Sequence, residues 1–105
     1  MAQFDVHRYT GALKAVIPYV VVVQSRRFDR SRHRVVIPLV VESLAPPPDP
    51  TLNPAFTIEG MPVLLDPLQI VALAAARLGA HVGSLEVHGD RVIAAIDLVI
   101  ARAWD

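Results

Sequence analysis

The stretch Arg34-Val35-Val36-Ile37-Pro38-Leu39-Val40-Val41 is apolar after its first residue, and most of it is β-branched. A continuous run of this kind reads as a strand covered on both faces or paired inside a barrel. Pro38 donates no ladder hydrogen bond, so it must sit at a bulge, a bend or an edge-facing position. Ala15 to Gln24 repeats the pattern around Pro18. Two bent apolar strands are what a small closed barrel needs. Val and Ile together number 23 against 11 Leu, which extends the mainly β expectation to the whole chain.

Outward from these runs, Gln3 to Tyr9 alternates apolar and polar residues, the period of a half-buried first strand, and Thr10-Gly11 supplies a turn. Ala55 to Glu59 and Met61 to Leu65 flank Gly60 as a hairpin. Pro46, Pro47, Pro48 and Pro50 make the connection before it stiff and extended. Asp66-Pro67, with Gln69 after it, predicts a helix from Pro67 to Leu78 stopped by Gly79. Asp90 reads as the N-cap of a terminal helix, Arg91 to Ala103, whose polar members are Arg91, Asp97 and Arg102. A helix apolar nearly all round must be covered on two sides. At the end of a small chain the second cover is expected to be another copy, so a homodimer is predicted.

At 105 residues the chain is one domain, residues 1–105. It has no cysteine, which excludes disulfides and thiolate metal sites. The four histidines, His7, His33, His81 and His88, lack metal-ligand spacing, and no nucleophile elbow, P-loop or dinucleotide fingerprint is present. Neither metal nor cofactor is expected. No apolar run reaches membrane-spanning length and no secretory signal is visible, so a cytoplasmic protein is expected.

Charge is balanced overall but not along the chain. Residues 1–41 hold seven basic and two acidic side chains, and residues 42–105 three basic and eight acidic. Much of the excess lies in Ser25 to His33, a loop with four arginines around Phe28, flanked by Arg34. Five guanidiniums there suit phosphates or a carboxylate-rich partner. Composition by itself favours a solvated hairpin tip. Trp104, the sole tryptophan, is either docked on its own domain or offered to a partner as an anchor.

The order of several short pieces resembles the CcdB family of toxins from toxin–antitoxin pairs. They are Gln3-Phe4-x-Val6, Val23-Gln24-Ser25, Arg34-Val35-Val36-Ile37-Pro38-Leu39, Leu52-x-Pro54 and Ile58-x-Gly60. Leu78-Gly79-x-x-Val82-Gly83-Ser84-Leu85 and Asp90-x-x-Ile93-x-Ala95-Ile96-Asp97 complete them. The resemblance implies an SH3-like barrel (CcdB/MazF-like) of antiparallel strands with a C-terminal α-helix, a homodimer and no enzymatic activity. It also implies poisoning of DNA gyrase through its A subunit and neutralisation by a CcdA-like antitoxin with a disordered acidic tail. Over Pro67 to Leu78 it suggests a short turn followed by extended chain, against the helix that propensity predicts.

Carried over by position, the gyrase contacts are Asp97, Ile100 and Ala101 on the helix, with Arg27 and Phe28 in the loop. The family's tryptophan falls at Ala101, and the terminal Gly-Ile is missing. Trp104, nearly one helical turn later, is the expected substitute. The acidic antitoxin tail is expected on the basic half, at Arg26, Arg30 and Arg32. No sequence-specific nucleic-acid binding and no membrane contact are expected. The alternatives are an endoribonuclease of the MazF type, using Arg26, Arg27 and Arg30 on RNA, and a gyrase-inert relative that binds only antitoxin.

Overall fold

A computed structural model of the chain describes residues 2–101. Its elements are β1 Asp5–Tyr9, β2 Tyr19–Val22, β3 His33–Val41, β4 Ala55–Ile58, β5 Met61–Leu65, β6 Val71–Ala74, β7 Leu78–Ser84 and α1 Gly89–Ile100. Every pairing is antiparallel, and the strand order is β4-β5-β3-β2-β1-β7, with β6 also on β3. The sheet curls into a half-barrel with the C-terminal helix packed on one face, as in an SH3-like barrel.

β3 organises this sheet. One of its edges pairs with β2, and the other pairs with β6 at His33–Val36 and then with β5 at Leu39–Val41. Pro38 sits where the partner changes. The Val23 N–H donates to the Val35 carbonyl at 2.9 Å, so Val35, Ile37 and Leu39 are the bonded positions toward β2, and Pro38 faces Val20 between bonds. Its nitrogen therefore points to the gap between β6 and β5, where no ladder donor is needed. Its carbonyl is used, accepting from the Asp66 N–H at 3.0 Å.

Two apolar clusters lie on opposite faces. The larger joins Val6, Val21, Ile37, Leu39, Val63 and Leu65 of the sheet to Val92 and Ala95 of α1. The smaller holds Val20, Val22 and Val36, covered by Tyr9, Leu73 and Leu78. This explains why the β2 and β3 runs are continuously apolar: their side chains are buried in both directions.

The structure corrects four local readings. The predicted helix Pro67–Leu78 is a 3-10 turn at Pro67–Gln69, then β6, a second turn at Ala75–Arg77, and the start of β7. Asp66 forms no side-chain cap, and the Val71–Ala74 backbone is bonded to β3, which outweighs the helix propensity of the alanines. The Ala15–Gln24 run is a strand only from Tyr19, because Leu13–Ile17 is a turn closed by the Ile17 N–H on the Leu13 carbonyl at 2.8 Å. The first strand begins at Asp5, since Phe4 turns the chain with φ 70° while its N–H bonds the Val22 carbonyl.

The terminal helix starts at Gly89, with His88 at the cap position and Asp90 inside the first turn, where a carboxylate favours the helix dipole. A 3-10 turn at Glu86–His88 leads into it and moves the start ahead of Asp90. Gly89 gives the Phe4 ring room there, because a Cβ would come within 2.7 Å of that ring and displace it. The helix ends at Ile100, with Ala101 already extended, and the predicted continuation to Ala103 lies outside the described residues. The β4–β5 hairpin forms as expected, with Glu59 (φ 50°) and Gly60 (φ 78°) making its two-residue turn.

Candidate functional site

The helix expected to reach gyrase is half covered. Gly89, Val92 and Ala95 are buried, with Ile96 packed behind them, whereas Ile93, Asp97, Leu98, Ile100 and Ala101 are exposed. Ile100 is 71% exposed and Leu98 47%. Spacings of three and four residues place Asp97 beside Ile93, Ile100 and Ala101 on one strip. Trp104 lies outside the described residues.

The arginine loop is more ordered than a solvated tip. Ser25 caps a single 3-10 turn at Arg26–Phe28 through its hydroxyl and the Arg27 N–H. Gln24 braces it from within: Nε2 donates to the Phe28 carbonyl at 2.8 Å, and Oε1 accepts from the Val35 N–H at 2.7 Å. Arg34 is turned inward, 6% exposed, and donates to the carbonyls of Phe28, at 2.9 Å, and Asp29. The cluster of five guanidiniums is thus four outward cations and one internal clamp.

Arg26, Arg27, Arg30 and Arg32 are all exposed, as is Phe28, over whose ring the Arg27 guanidinium lies at 6.0 Å. Arg27 and Phe28 are therefore neighbours as expected, with Arg26 in the same turn. No hydrogen bond, ion pair or ring contact among the described residues joins this loop to α1. The sequence reading missed the clamping roles of Gln24 and Arg34. The only sequence signal for them was their position at the two ends of the loop, where the flanking strands begin to pair.

Elsewhere, the Tyr19 hydroxyl donates to Glu59 Oε1 and Arg8 donates to Glu59 Oε2, both at 2.8 Å, tying the β4–β5 turn to β1 and β2. Burial pushes the Tyr19 phenol above its ordinary pKa, and the Glu59 carboxylate adds to this. The imidazole of His7 is buried, with Nδ1 3.0 Å from the Gly79 carbonyl, and lies edge-on to His81. Among the described residues no three His, Cys, Asp or Glu side chains group to hold a metal ion. No helix among them is long and apolar enough to cross a membrane.

Several cavities of similar volume open on the sheet, and two of them bear on the helix and its surroundings. One, about 410 Å³, is mostly apolar and lined by Leu13, Val16, Val40, Leu44, Leu64 and Leu68 among others. The second, about 380 Å³, lies between β4 and the start of α1, where Arg91 stacks 4.8 Å above the Phe56 ring. Neither contains Asp97, Ile100, Arg27 or Phe28. The predicted partner contacts are surface features, not pocket linings.

Comparison with known proteins supports the architecture. A solved endoribonuclease in complex with its cognate antitoxin, from a mycobacterial species, superposes with a TM-score of 0.78 at 16% identity, covering 100% of this chain and 99% of that one. At that identity the likeness is one of fold. A search of curated proteins found no match. The family model described as CcdB protein matches residues 3–101. That match spans the sheet and the whole of α1, and on it the chain belongs to the CcdB family, the toxins of toxin–antitoxin systems.

Proposed function

We propose that this toxin binds the A subunit of DNA gyrase and holds the enzyme in its cleaved-DNA state, acting by binding and not by catalysis. The observation that carries the reading is the uncovered apolar end of α1, where Ile100 and Leu98 face solvent beside Asp97. A small protein gains nothing from such a surface unless a partner covers it. Asp97, Ile100, Ala101 and Trp104, with Arg27 and Phe28 in the loop, are the gyrase contacts. Ile93, nearer the middle of the helix, serves a second copy in a homodimer. A twofold toxin suits a twofold enzyme, and trapping one state of it requires tighter binding to that state than to the others. The cytoplasm is where such a target is met.

A CcdA-like antitoxin neutralises the toxin in this reading. Its acidic tail is attracted to Arg26, Arg30 and Arg32, which stand outward on a braced loop.

The decisive experiment is a supercoiling and DNA-cleavage assay with gyrase of the source organism. Cleavage complexes with the wild type, and their loss in Trp104→Ala or Ile100→Asp, are expected. Absence of complexes with wild-type protein identifies a gyrase-inert antitoxin-binding relative. Cleavage of a long RNA without gyrase replaces the reading with an endoribonuclease.

A further inference from the structure

We propose that the free edge of β4 docks an extended, carboxylate-bearing peptide segment, with Arg91 and His88 holding its carboxylate. The inference is separate from the gyrase reading and uses none of its residues.

β4 is the outermost strand on its side of the sheet. The Leu65 N–H donates to the Pro54 carbonyl at 3.0 Å, which fixes Phe56 and Ile58 as the residues bonded to β5. The N–H and C=O groups of Ala55 and Thr57 therefore point away from the sheet, and nothing among the described residues bonds them. Two donors and two acceptors at strand spacing are a template for one more strand. Within the strand the edge carries no charge and no proline: β4 is Ala55-Phe56-Thr57-Ile58.

Beside this edge lies the 380 Å³ cavity lined by Ala55, Phe56, Thr57, Leu85, His88 and Arg91, together with Glu42 and Pro62. Phe56 is buried, and both cation-capable side chains rest on its ring, Arg91 at 4.8 Å and His88 at 5.5 Å. Neither makes a hydrogen bond or ion pair among the described residues. Its place over the ring holds the Arg91 guanidinium at the cavity and leaves its N–H groups for a carboxylate, which a guanidinium binds bidentately. A nucleic-acid strand has no alternating donors and acceptors to match Ala55 and Thr57, so the occupant is a polypeptide.

The test uses an end-blocked octapeptide of alternating valine and threonine with two glutamates at its C-terminal end. Controls carry lysines in their place or N-methyl groups on alternate amides. Full-length ¹⁵N-labelled protein is titrated with each. The glutamate peptide is expected to shift and protect the Ala55 and Thr57 amides, the lysine peptide to bind at least tenfold more weakly, and the N-methylated peptide in the edge-facing register not to bind. Arg91→Gln is expected to erase the preference for glutamate while leaving the fold, read from the remaining amide shifts, unchanged. Equal binding of glutamate and lysine peptides, or shifts confined to Arg26–Arg32, overturns the proposal. So does concentration-dependent protection of Ala55 and Thr57 without peptide, which assigns the edge to a second copy.

Discussion

The guanidinium of Arg34 donates to the Phe28 carbonyl at 2.9 Å from a site that is 6% exposed, so the last cation of the arginine-rich segment holds the loop that displays the others. Arg34 opens the buried run of β3, and its long side chain reaches back across the loop.

Arg34→Ala is therefore expected to cost stability and to loosen the loop. Removing the guanidinium loses its charge-assisted hydrogen bonds to the Phe28 and Asp29 carbonyls, a cost of about 1.5–3 kcal/mol, while the Phe28 carbonyl keeps the Gln24 Nε2 donor. Denaturant unfolding checks this, with exposed Arg30→Ala as the reference, expected within ~0.5 kcal/mol of wild type. If the two variants are equally stable, the clamp is unimportant.

Tyr19 gives a pH dependence. Its phenol is held above the ordinary pKa by burial and by Glu59, so the folded chain keeps that proton more tightly than the unfolded chain does. The contribution is fully present below the unfolded tyrosine pKa and is lost as pH rises through the folded value. Stability is expected to fall on the alkaline side, and the fall should be smaller in Tyr19→Phe. Thermal unfolding measured from neutral pH upward in both proteins tests the sign.

The hairpin turn is sensitive to Gly60. Its φ of 78° is a conformation that an L side chain adopts only with strain, although there is space for a Cβ. Gly60→Ala is expected to destabilise by about 1 kcal/mol. Because Glu59 anchors the same turn to Arg8 and Tyr19, the variant should also shift the Tyr19 resonances in an NMR spectrum.

Burial separates two leucines that look alike in sequence. Leu39 is fully buried in the larger cluster, and Leu39→Ala is expected to cost about 2–5 kcal/mol. Leu68, 68% exposed, should tolerate alanine within ~0.5 kcal/mol. Equal losses at both sites point to a cover over Leu68 in solution.

Association is tested on α1. Ile93→Asp alters an exposed residue, so the fold should survive while the homodimer dissociates, as read by sedimentation at several concentrations. A monomeric wild type removes the dimer from the proposal.

The apolar run around Pro38, the hairpin about Gly60 and the terminal helix were legible because each is written locally, in side-chain period, turn chemistry and the absence of breakers, whereas of the run around Pro18 only the part from Tyr19 is strand. The charge-rich loop and its exposed arginines were legible for the same reason. Local signals failed at Pro67 to Leu78, where alanines and a proline-led start favour a helix in isolation but β3 offers an unpaired edge that captures the backbone as β6. They also failed at Arg34, since a sequence lists a cation without saying which way it points. The location of Pro38 at the change of partner along β3, the free edge of β4 beside Arg91, and the one-sided burial of α1 depend on contacts between residues far apart in the chain. Their energies exist only once the sheet has closed, so the tertiary structure alone decided them.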